Sequence, residues 1–427
     1  MVPCFAMSES SWDYATDMVR RFLAKPARLQ HLMERLSVEE DGGKRRACQA
    51  LLYGTVRHLS LLEAALGTFL KKKPKPRLYA RLLVASFEIL RDPAKSAQVV
   101  DHAVEQIKRK CSRVEVGLAN AVLRKVGPRL AELQVGALST ARDLAVRYSH
   151  PEWMVERWLR QFEFSEVESY LEWNQSESEL FVLALGEVQG KELEKLGFVL
   201  RKAPYFKAPR RDWSLMQKAL DHKLCYVQNA AAGGAVSLAS SVPSNGRILD
   251  LCAAPGGKSI AMAKQIDAIG GTVLSVDLPG PRLDRLKSNL ENFEISNVSI
   301  KGADVFALDP EDIGSFDSVL LDAPCSNSGV MQRKVDVKWR LQPKQYKEVL
   351  ALQKQMLVAA SKFVKRGGSL VYSTCSIDPE ENAEVAKWFV ERENEGIFTL
   401  EDSIVSQPWR DGQDGAGAFR FRRSDEL

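Results

Sequence analysis

A strand–loop–helix pattern at residues 246–266, GRILDLCAAPGGKSIAMAKQI, constrains the fold more than any other part of the chain. Residues 247–251 form a mostly apolar run of the length of a buried strand, and apolar side chains recur at helical spacing from residue 259 onward. The loop between them, residues 252–258, combines small side chains with adjacent glycines. Such a backbone can approach a ligand closely at the carboxyl end of a strand, although an ordinary tight turn would have a similar composition.

An acidic residue ends the next predicted strand. Asp277 closes the run TVLSVD, twenty residues after Gly257, and an acid at that offset can accept hydrogen bonds from the hydroxyl groups of a ribose. The loop lacks the GxGxxG of dinucleotide-binding loops and the GxxxxGK[ST] of Walker A loops. A glycine turn with a ribose carboxylate but no phosphate-binding motif favours an adenosine-type ligand without a polyphosphate, such as S-adenosylmethionine.

Length and composition predict a soluble globular protein of two or three domains. The chain has 427 residues, of which 45% are hydrophobic and 27% are charged. Its apolar runs are well short of the roughly 20 residues that span a membrane, so no membrane segment is expected. Residues 1–14 lack a basic segment followed by an apolar one, which argues against secretion, and the terminal SDEL is interpreted as a chance match to a retention signal.

Charge and the spacing of cysteines and histidines narrow the possible functions further. A net charge of +5 permits nucleic-acid binding without requiring it. The seven cysteines are widely spaced and include no CxxC pair, so neither disulfides nor a bound metal are expected, and a reducing cytoplasm is the expected location. All five histidines lie within the first 222 residues, which leaves Cys, Asp, Glu, Lys and Tyr for chemistry in the second half.

The first part of the chain, residues 1–137, predicts an all-α domain. Apolar residues at steps of three and four predict one amphipathic helix from 48 to 70, and the pattern predicts further helices at about 77–91, 97–111 and 115–126, with Gly127-Pro128 ending the last. Two stretches there are strongly basic, KKKPKPR and KRKCSR. They are interpreted either as a solvated face or as a surface that contacts nucleic-acid phosphates.

Residues 138–240 predict a mixed segment of helices and strands. In YSHPEWMVERWLRQF, Ser149 is placed to cap a helix whose first turn contains Pro151. A later basic stretch, RKAPYFKAPRRDW at 201–213, mixes five cations with three aromatic residues. Cations and aromatic rings on an irregular segment suit contact with single-stranded RNA.

From residue 241 to 427, strands and helices alternate. Strands are predicted at 247–251, 272–277, 298–304, 316–322 and 369–375, and helices at 259–267, 281–293, 344–364 and 380–393. This alternation predicts a mostly parallel sheet with helices on both faces. Three of the predicted strands end in an acid, Asp277, Asp304 and Asp322, and Asp250 lies near the end of the first strand. Because the carboxyl ends of parallel strands meet at one edge, these acids point to a ligand crevice there.

Two strand ends also carry a cysteine. Cys325 follows Asp322 by three residues and Cys375 ends the fifth predicted strand. A zinc deaminase would need PCxxC, which is absent after Pro324, and a papain-like protease would need a histidine that this half lacks. Methylation at carbon 5 (C5) of a pyrimidine remains. One thiolate would add to carbon 6 (C6), the other thiol could assist proton removal, and Asp322 could stabilise the ring near nitrogen 3. The order of the residues does not decide which cysteine attacks.

Three blocks together carry a family resemblance. LDLCAAPGGKS, DAPCSNSGVMQRKVDVKW and STCSIDPEEN resemble the motifs of the Nop/Sun family of RNA cytosine-C5 methyltransferases. The segment from LLYGTVRHLSLLEAAL to VGLANAVLRKVG resembles the NusB-like RNA-binding domain that is fused to the bacterial members acting on small-subunit ribosomal RNA. The resemblance implies a helical NusB-like domain (1–137), a small RNA-binding subdomain (138–240) and a Rossmann-like class I methyltransferase domain (241–427) with a mostly parallel seven-stranded sheet.

The resemblance also implies roles for individual residues. Cys375 would be the nucleophile, Cys325 would assist product release, and Asp322 would contact both the target base and S-adenosylmethionine. The remaining cofactor-binding residues would be Cys252, Ala253, Ala254, Pro255, Gly256, Gly257, Lys258, Asp277 and Asp304.

The function expected from this resemblance is methylation of C5 of a cytidine in small-subunit (16S) ribosomal RNA through a covalent cysteine–C6 adduct. The enzyme would be a monomer that acts on naked or early-assembling RNA. The same chemistry on transfer RNA or at another ribosomal site is an alternative, and a non-catalytic RNA-binding assembly factor is a second. Retention of both Cys325 and Cys375 argues against the non-catalytic alternative.

Overall fold

The computed structural model describes residues 10–34, 42–209, 212–393 and 396–426. Its helices are α1 (Ser11–Ala24), α2 (Leu29–Met33), α3 (Gly42–Arg57), α4 (Leu59–Gly67), α5 (Pro76–Arg91), α6 (Ser96–Lys108), α7 (Arg113–Val135), α8 (Ala141–Arg147), α9 (Glu152–Trp158), α10 (Phe164–Gln175), α11 (Glu187–Lys195), α12 (Trp213–Asp221), α13 (Ala232–Ala239), α14 (Gly257–Ile266), α15 (Pro281–Asn292), α16 (Pro310–Ile313), α17 (Val337–Arg340), α18 (Pro343–Ser361), α19 (Ala383–Trp388) and α20 (Pro408–Asp411). Within the described residues, no helix combines the length and the apolar character needed to cross a membrane.

The strands are β1 (Phe181–Ala184), β2 (Val199–Lys202), β3 (Tyr205–Lys207), β4 (Cys225–Val227), β5 (Arg247–Leu251), β6 (Thr272–Asp277), β7 (Val298–Gly302), β8 (Phe316–Asp322), β9 (Val364–Thr374), β10 (Phe398–Ser406) and β11 (Ala416–Arg423). Short 3-10 turns lie at Pro93–Lys95, Asp267–Ile269, Val305–Ala307, Ser328–Val330 and Pro379–Glu381. The helix predicted at 380–393 is α19 followed by a π-helical turn, Phe389–Glu393.

The chain forms two compact units. The first contains Met1–Ser176 and Met331–Gln342, and the second contains Glu177–Val330 and Pro343–Leu427. The segment from Met331 to Gln342 is anchored within the first unit, because the Trp339 indole N–H donates to the carbonyl oxygen of Val56 (2.9 Å). A short piece of chain from the second half of the sequence therefore belongs to the amino-terminal helical unit.

Helix α5 is central to the first unit. It is buried over most of its surface, because α1, α3, α4, α6 and α7 all contact it. A helix surrounded in this way needs apolar residues around its circumference, and PRLYARLLVASFEILR has them. Arg81 is buried within it and pairs with Asp13 of α1 (3.1 Å), so this internal charge is neutralised.

The structure corrects two of the predicted helices. The chain breaks at His58, so residues 48–70 belong mainly to α3 and α4 rather than to one helix. The apolar spacing did not reveal this break because both helices bury their apolar residues in the same core. Conversely, α7 continues through Gly127 and Pro128 to Val135. Pro128 is exposed, so the helix loses one backbone hydrogen bond on its solvent side and continues.

The sequence predicted that Ser149 caps the helix that follows it, and this prediction is wrong. Helix α9 begins after Pro151 and has no side-chain cap, whereas Ser149 adopts a left-handed backbone conformation (φ 49°). Its hydroxyl oxygen accepts a hydrogen bond from the backbone N–H of Leu61 (3.0 Å), in the first turn of α4. The serine thus satisfies a free N–H of a helix that is distant in sequence, which local spacing cannot indicate.

The second unit contains a small antiparallel sheet of order β2-β3-β1-β4, which includes the stretch interpreted as an RNA contact. Tyr205 and Phe206 lie on β3 and are buried, while Trp213 at the start of α12 is 62% exposed. Arg210 and Arg211 lie outside the described residues. Two of the three aromatic rings therefore belong to the core and are not available to stack on bases, because a strand rather than an irregular loop runs through them.

A seven-stranded sheet of order β10-β11-β9-β8-β5-β6-β7 dominates the second unit. The five strands from β9 to β7 are parallel, whereas β11 and β10 are antiparallel additions. Successive residues of β5 enter opposite cores: Ile248 packs with α13 and α14, and Leu249 packs with α18 and α19. The predicted mostly parallel sheet with helices on both faces is confirmed.

Candidate active site

The loop between β5 and α14 has the backbone conformation that the sequence suggested. Cys252 leaves the strand in a left-handed conformation (φ 61°), and Gly256, also left-handed (φ 102°), precedes α14 as its N-cap. A Cβ atom on Gly256 would lie 2.6 Å from the Leu286 side chain. Glycine is therefore required there both by the backbone conformation and by the close packing of α15.

Asp277, at the end of β6, holds this loop in place. One carboxylate oxygen accepts a hydrogen bond from the backbone N–H of Ala254 (2.9 Å), and the other accepts one from the N–H of Leu278 (2.9 Å). Arg282 donates to the Ala254 carbonyl and lies 3.8 Å from the Asp277 carboxylate. Asn289 of α15 donates to the carbonyl of Pro255 (2.8 Å). The loop is thus fixed in advance by the next strand and helix.

Asp250 was predicted to lie near the ligand crevice, but the sequence assigned it no role there. It is fully buried, and one carboxyl oxygen accepts a hydrogen bond from Ser259 (2.6 Å). The other oxygen, Oδ1, is buried and has no hydrogen-bond partner within the described residues. Burial raises the pKa of Asp250 to about 7. A ligand that presents an amino group here and a ribose near Asp277 would fit the donors and acceptors that this edge offers.

The raised pKa of Asp250 gives a testable pH dependence. Between about pH 4 and pH 7 the native state retains a proton that the unfolded state releases, so stability should fall as pH rises through that range. The free energy of unfolding should fall by about 1.4 kcal/mol for each pH unit, which amounts to a few kcal/mol over the whole range. Asp250→Asn should remove this slope, so the variant gains stability relative to wild type between pH 4 and pH 8. Urea unfolding at several pH values measures the difference, and parallel curves for the two proteins would contradict the assignment. Ser259→Ala keeps the carboxyl group and should keep the slope.

Asp304 lies at the same sheet edge but outside the strand that it was predicted to end. Strand β7 ends at Gly302, and Asp304 instead accepts a hydrogen bond from the N–H of Phe306 (3.0 Å), as the cap of a 3-10 turn. The N–H of Ala303 donates to the carbonyl of Asp277 (3.0 Å). The turn that Asp304 caps is therefore held next to the end of β6, where Asp277 lies.

Lys258 connects the glycine loop to the neighbouring strand end. Its ammonium group lies 2.7 Å from the carboxylate of Asp322, the last residue of β8. Burial alone would lower the pKa of Lys258, but the charge of Asp322 and the hydrogen bond to it raise the pKa overall, and negative charge on Cys375 acts in the same direction. A firmly protonated lysine is thus held close to both Asp322 and Cys375.

The two cysteines meet, as their positions at neighbouring strand ends predicted. Asp322 of β8 pairs with Ser373 of β9, so the loops that leave these strands run side by side. The two sulfur atoms of Cys325 and Cys375 are 3.3 Å apart. The hydrogen bond with Cys375, followed by burial, raises the pKa of the Cys325 thiol well above its ordinary value. The Cys325 thiol therefore holds its proton firmly.

Cys252 differs from this pair. Burial, followed by the charges of Asp322 and Asp277, raises the pKa of Cys252 to about 12. The Cys252 side chain therefore stays a neutral thiol at neutral pH and is a poor nucleophile.

Sequence reasoning missed the polar residues that support the cysteines. Asn327 is left-handed (φ 60°); its amide donates to the Cys325 carbonyl (2.8 Å), and its side-chain oxygen lies 3.4 Å from the Cys375 sulfur. Ser326 and Glu381 are both buried and hydrogen-bonded to each other. The available signal was the run of polar residues that directly follows each cysteine, in SNS and in SIDPEEN.

Comparison with known proteins identifies the families to which parts of this chain are similar. Residues 238–408 match the family described as 16S rRNA methyltransferase RsmB/F, and residues 38–128 match the NusB family. Ribosomal RNA small subunit methyltransferase B of Serratia proteamaculans is 32% identical across 88% of this chain and 89% of its own length. The protein of the same name from Yersinia pseudotuberculosis is 31% identical across 95% and 96% of the two chains.

Solved structures share the fold at lower sequence identity. PH0851 has a TM-score of 0.72 at 23% identity, covering 98% of this chain and 100% of that one. NSun6 from Pyrococcus horikoshii with SFG has a TM-score of 0.53 at 18% identity, covering 63% and 97%. Because relatives above 30% identity span most of the sequence, the chain belongs to the RsmB/F family of methyltransferases and carries a NusB-family domain in its amino-terminal part.

Proposed function

We propose that the protein methylates C5 of a cytidine in small-subunit ribosomal RNA, using S-adenosylmethionine and a covalent intermediate on Cys375. The observation that carries the proposal is the pair of sulfur atoms 3.3 Å apart, at the sheet edge that also holds the glycine loop and the Lys258–Asp322 pair. A nucleophile, a second thiol, a cation and a cofactor loop in one place are what C5 methylation requires.

The residues at this edge fit S-adenosylmethionine. Asp277 is suited to the ribose hydroxyls, the loop from Cys252 to Lys258 allows close approach, and the free oxygen of Asp250 is suited to the amino group. When bound, the cofactor supplies an electrophilic methyl group. Residue Asp304, exposed on the adjoining loop, is the fourth acid assigned to this site.

Cys375 begins the reaction by adding to C6 of cytosine. Its thiol first loses its proton to solvent, and the nearby ammonium of Lys258 favours the resulting thiolate. The sulfur lone pair forms the bond to C6 while the C5–C6 π electrons shift toward C5 and the ring. The ammonium of Lys258, held in place by Asp322, stabilises the added negative charge near ring nitrogen 3. C5 would then use that electron pair to bond the methyl group that the cofactor supplies, while the bond between that methyl group and the cofactor's sulfur breaks and leaves its electrons on the sulfur.

The addition step itself prepares Cys325 for the next one. The principal cause of the raised Cys325 pKa is its hydrogen bond to Cys375, together with the charge there. Once Cys375 is bonded to C6 it is a neutral thioether, so this cause disappears while burial remains, and the Cys325 thiol releases its proton to solvent more easily than before. The Cys325 thiolate then takes the proton from C5, the C–H electron pair restores the C5–C6 double bond, and the C6–S bond breaks with its electrons returning to Cys375.

Small-subunit ribosomal RNA is the substrate that the relatives favour. Both named relatives are ribosomal RNA small subunit methyltransferases, and the similarity includes the NusB-family region.

Basic side chains of the first unit lie near Glu115, in the first turn of α7. Hydrogen bonds from Ser112 lower the pKa of Glu115, and the nearby charges of Lys75 and Arg77 lower it further. Lys75 and Arg77 therefore lie near the start of α7, beside the second basic stretch, and we assign both basic stretches to contact with RNA phosphates.

Methyl transfer from radiolabelled S-adenosylmethionine tests this function directly. Unmodified small-subunit ribosomal RNA and transfer RNA are offered in parallel, and the labelled base is mapped. Label on C5 of one cytidine of the ribosomal RNA is expected. Label confined to transfer RNA would overturn the substrate but retain the chemistry. Absence of label on both RNAs and on purified small-subunit particles would favour a non-catalytic assembly factor.

A further inference from the structure

A buried polar network joins the residues that follow the two cysteines. Ser326 comes directly after Cys325, Ser376 comes directly after Cys375, and these serines are only 4% and 0% exposed. Their hydroxyl oxygens are 3.4 Å apart. The Ser328 hydroxyl lies 2.8 Å from that of Ser376 and extends the network. Hydroxyl groups thus connect the two cysteine-bearing loops.

Two fully buried carboxyl groups, Asp378 and Glu381, accept hydrogen bonds from this network. Asp378 accepts from the Ser376 hydroxyl (3.2 Å), and the Ser326 hydroxyl oxygen lies 3.3 Å from the same carboxylate. Glu381 accepts from the Ser326 hydroxyl with one oxygen and from the backbone N–H of Ser326 (2.8 Å) with the other. Glu381 therefore holds both the main chain and the side chain of the residue after Cys325.

Glu381 also reaches the residue before Cys325. The amide of Gln353, on α18, donates to the carboxylate of Glu381 (2.9 Å) and to the carbonyl of Pro324 (2.9 Å). The chain on both sides of Cys325 is thus tied to one carboxylate. The main chain after Cys375 is held by Asn382, which donates to the carbonyl of Ser376 (2.9 Å), while the Ser376 hydroxyl also hydrogen-bonds to Glu381.

We propose that Glu381 is a positioning residue for Cys325, and that it sets how fast the covalent intermediate is released rather than how fast it forms. The inference rests on the proposed function, in which Cys325 removes the C5 proton. Burial and the charge of Asp378 raise the pKa of Glu381 to about 6, so the carboxyl is mostly ionised at neutral pH and can accept these hydrogen bonds. Small displacements of a catalytic base slow proton transfer strongly.

Glu381→Gln separates positioning from a general structural role. Glutamine has the same size as glutamate. Its NH2 group, however, cannot accept the hydrogen bond that the Ser326 hydroxyl donates to one oxygen of the Glu381 carboxylate. Asn382 still holds the main chain after Cys375, so the first methyl transfer should slow much less than release of the adduct. Release should slow, lowering steady-state turnover about tenfold to a hundredfold. RNA should then remain attached to the protein and run as a slow band on a denaturing gel.

The experiment uses the full chain, unmodified small-subunit ribosomal RNA and labelled S-adenosylmethionine, in single-turnover and multiple-turnover assays. Glu380→Gln is the matched control. It changes the neighbouring carboxylate, which accepts from the Tyr346 hydroxyl (2.8 Å), and it should leave release at the wild-type rate. Glu381→Asp retains the charge and should restore part of the lost turnover.

The inference would be overturned if Glu381→Gln lost first-turnover rate and steady-state rate equally and formed no adduct. It would also be overturned if Glu381→Gln behaved like the wild-type enzyme. Failure of the proposed function looks different, because wild type would then methylate no RNA and Cys325→Ala would form no adduct. If Glu381→Gln does not fold, as judged by circular dichroism, Ser326→Ala removes the donor from the other side. That variant should also accumulate adduct, and the inference is wrong if it does not.

Discussion

Replacing Cys375 with alanine should reduce methyl transfer to ribosomal RNA about a thousandfold or more, because the nucleophile that activates C5 is removed. Alanine leaves the neighbouring Lys258–Asp322 pair in place. RNA binding should therefore change little. Filter binding of RNA and incorporation of labelled methyl groups, measured on the same preparation, separate the two quantities.

A matched variant shows whether the loss of activity is specific to Cys375 or follows the removal of a cysteine elsewhere in the chain. Cys111→Ala removes a half-buried cysteine in the first unit and should methylate RNA at the wild-type rate. If Cys375→Ala retained activity while Cys325→Ala lost it without forming an adduct, the two cysteines would have exchanged roles. That result is possible in principle because either sulfur of the pair lies at the same sheet edge.

Cys325→Ala should trap the enzyme on its RNA. Cys375 can still add to C6 and C5 can still be methylated, but the base that removes the C5 proton is absent. Loss of a general base typically costs about a hundredfold to ten-thousandfold in rate, so the adduct should accumulate and turnover should almost stop. A denaturing gel with labelled RNA detects the adduct as a slow band.

The Cys325 variant has an internal check. The double variant Cys325→Ala, Cys375→Ala cannot form the thioether and should show no slow band. Absence of the band in the single variant, with active wild-type enzyme, would remove the release role from Cys325. The proton would then have to leave C5 by another route, such as a water molecule.

The sequence predicts the part of the site that is formed by the ends of the parallel strands. Strand ends at Leu251, Asp277, Asp322 and Thr374 follow from short β-like runs, and parallel order places them at one edge. The convergence of the glycine loop with both cysteines follows from that rule. The Asp250 oxygen without a partner and the Glu381 network do not, because they depend on which buried side chains meet across the sheet edge.

Local patterns in the chain were sufficient for the class of fold, and the motif blocks were sufficient for the methyltransferase family. Residue periodicity reports which face of an element is buried, and the motif blocks report which strand ends carry reactive groups. Packing alone decided the break at His58, the capping of α4 by Ser149 and the burial of Tyr205 and Phe206. Each of these depends on contacts between residues far apart in sequence, and such contacts leave no periodic trace in the chain. The raised pKa of Cys325 has the same origin, since a pKa is set by the charges, hydrogen bonds and burial that only the folded chain provides.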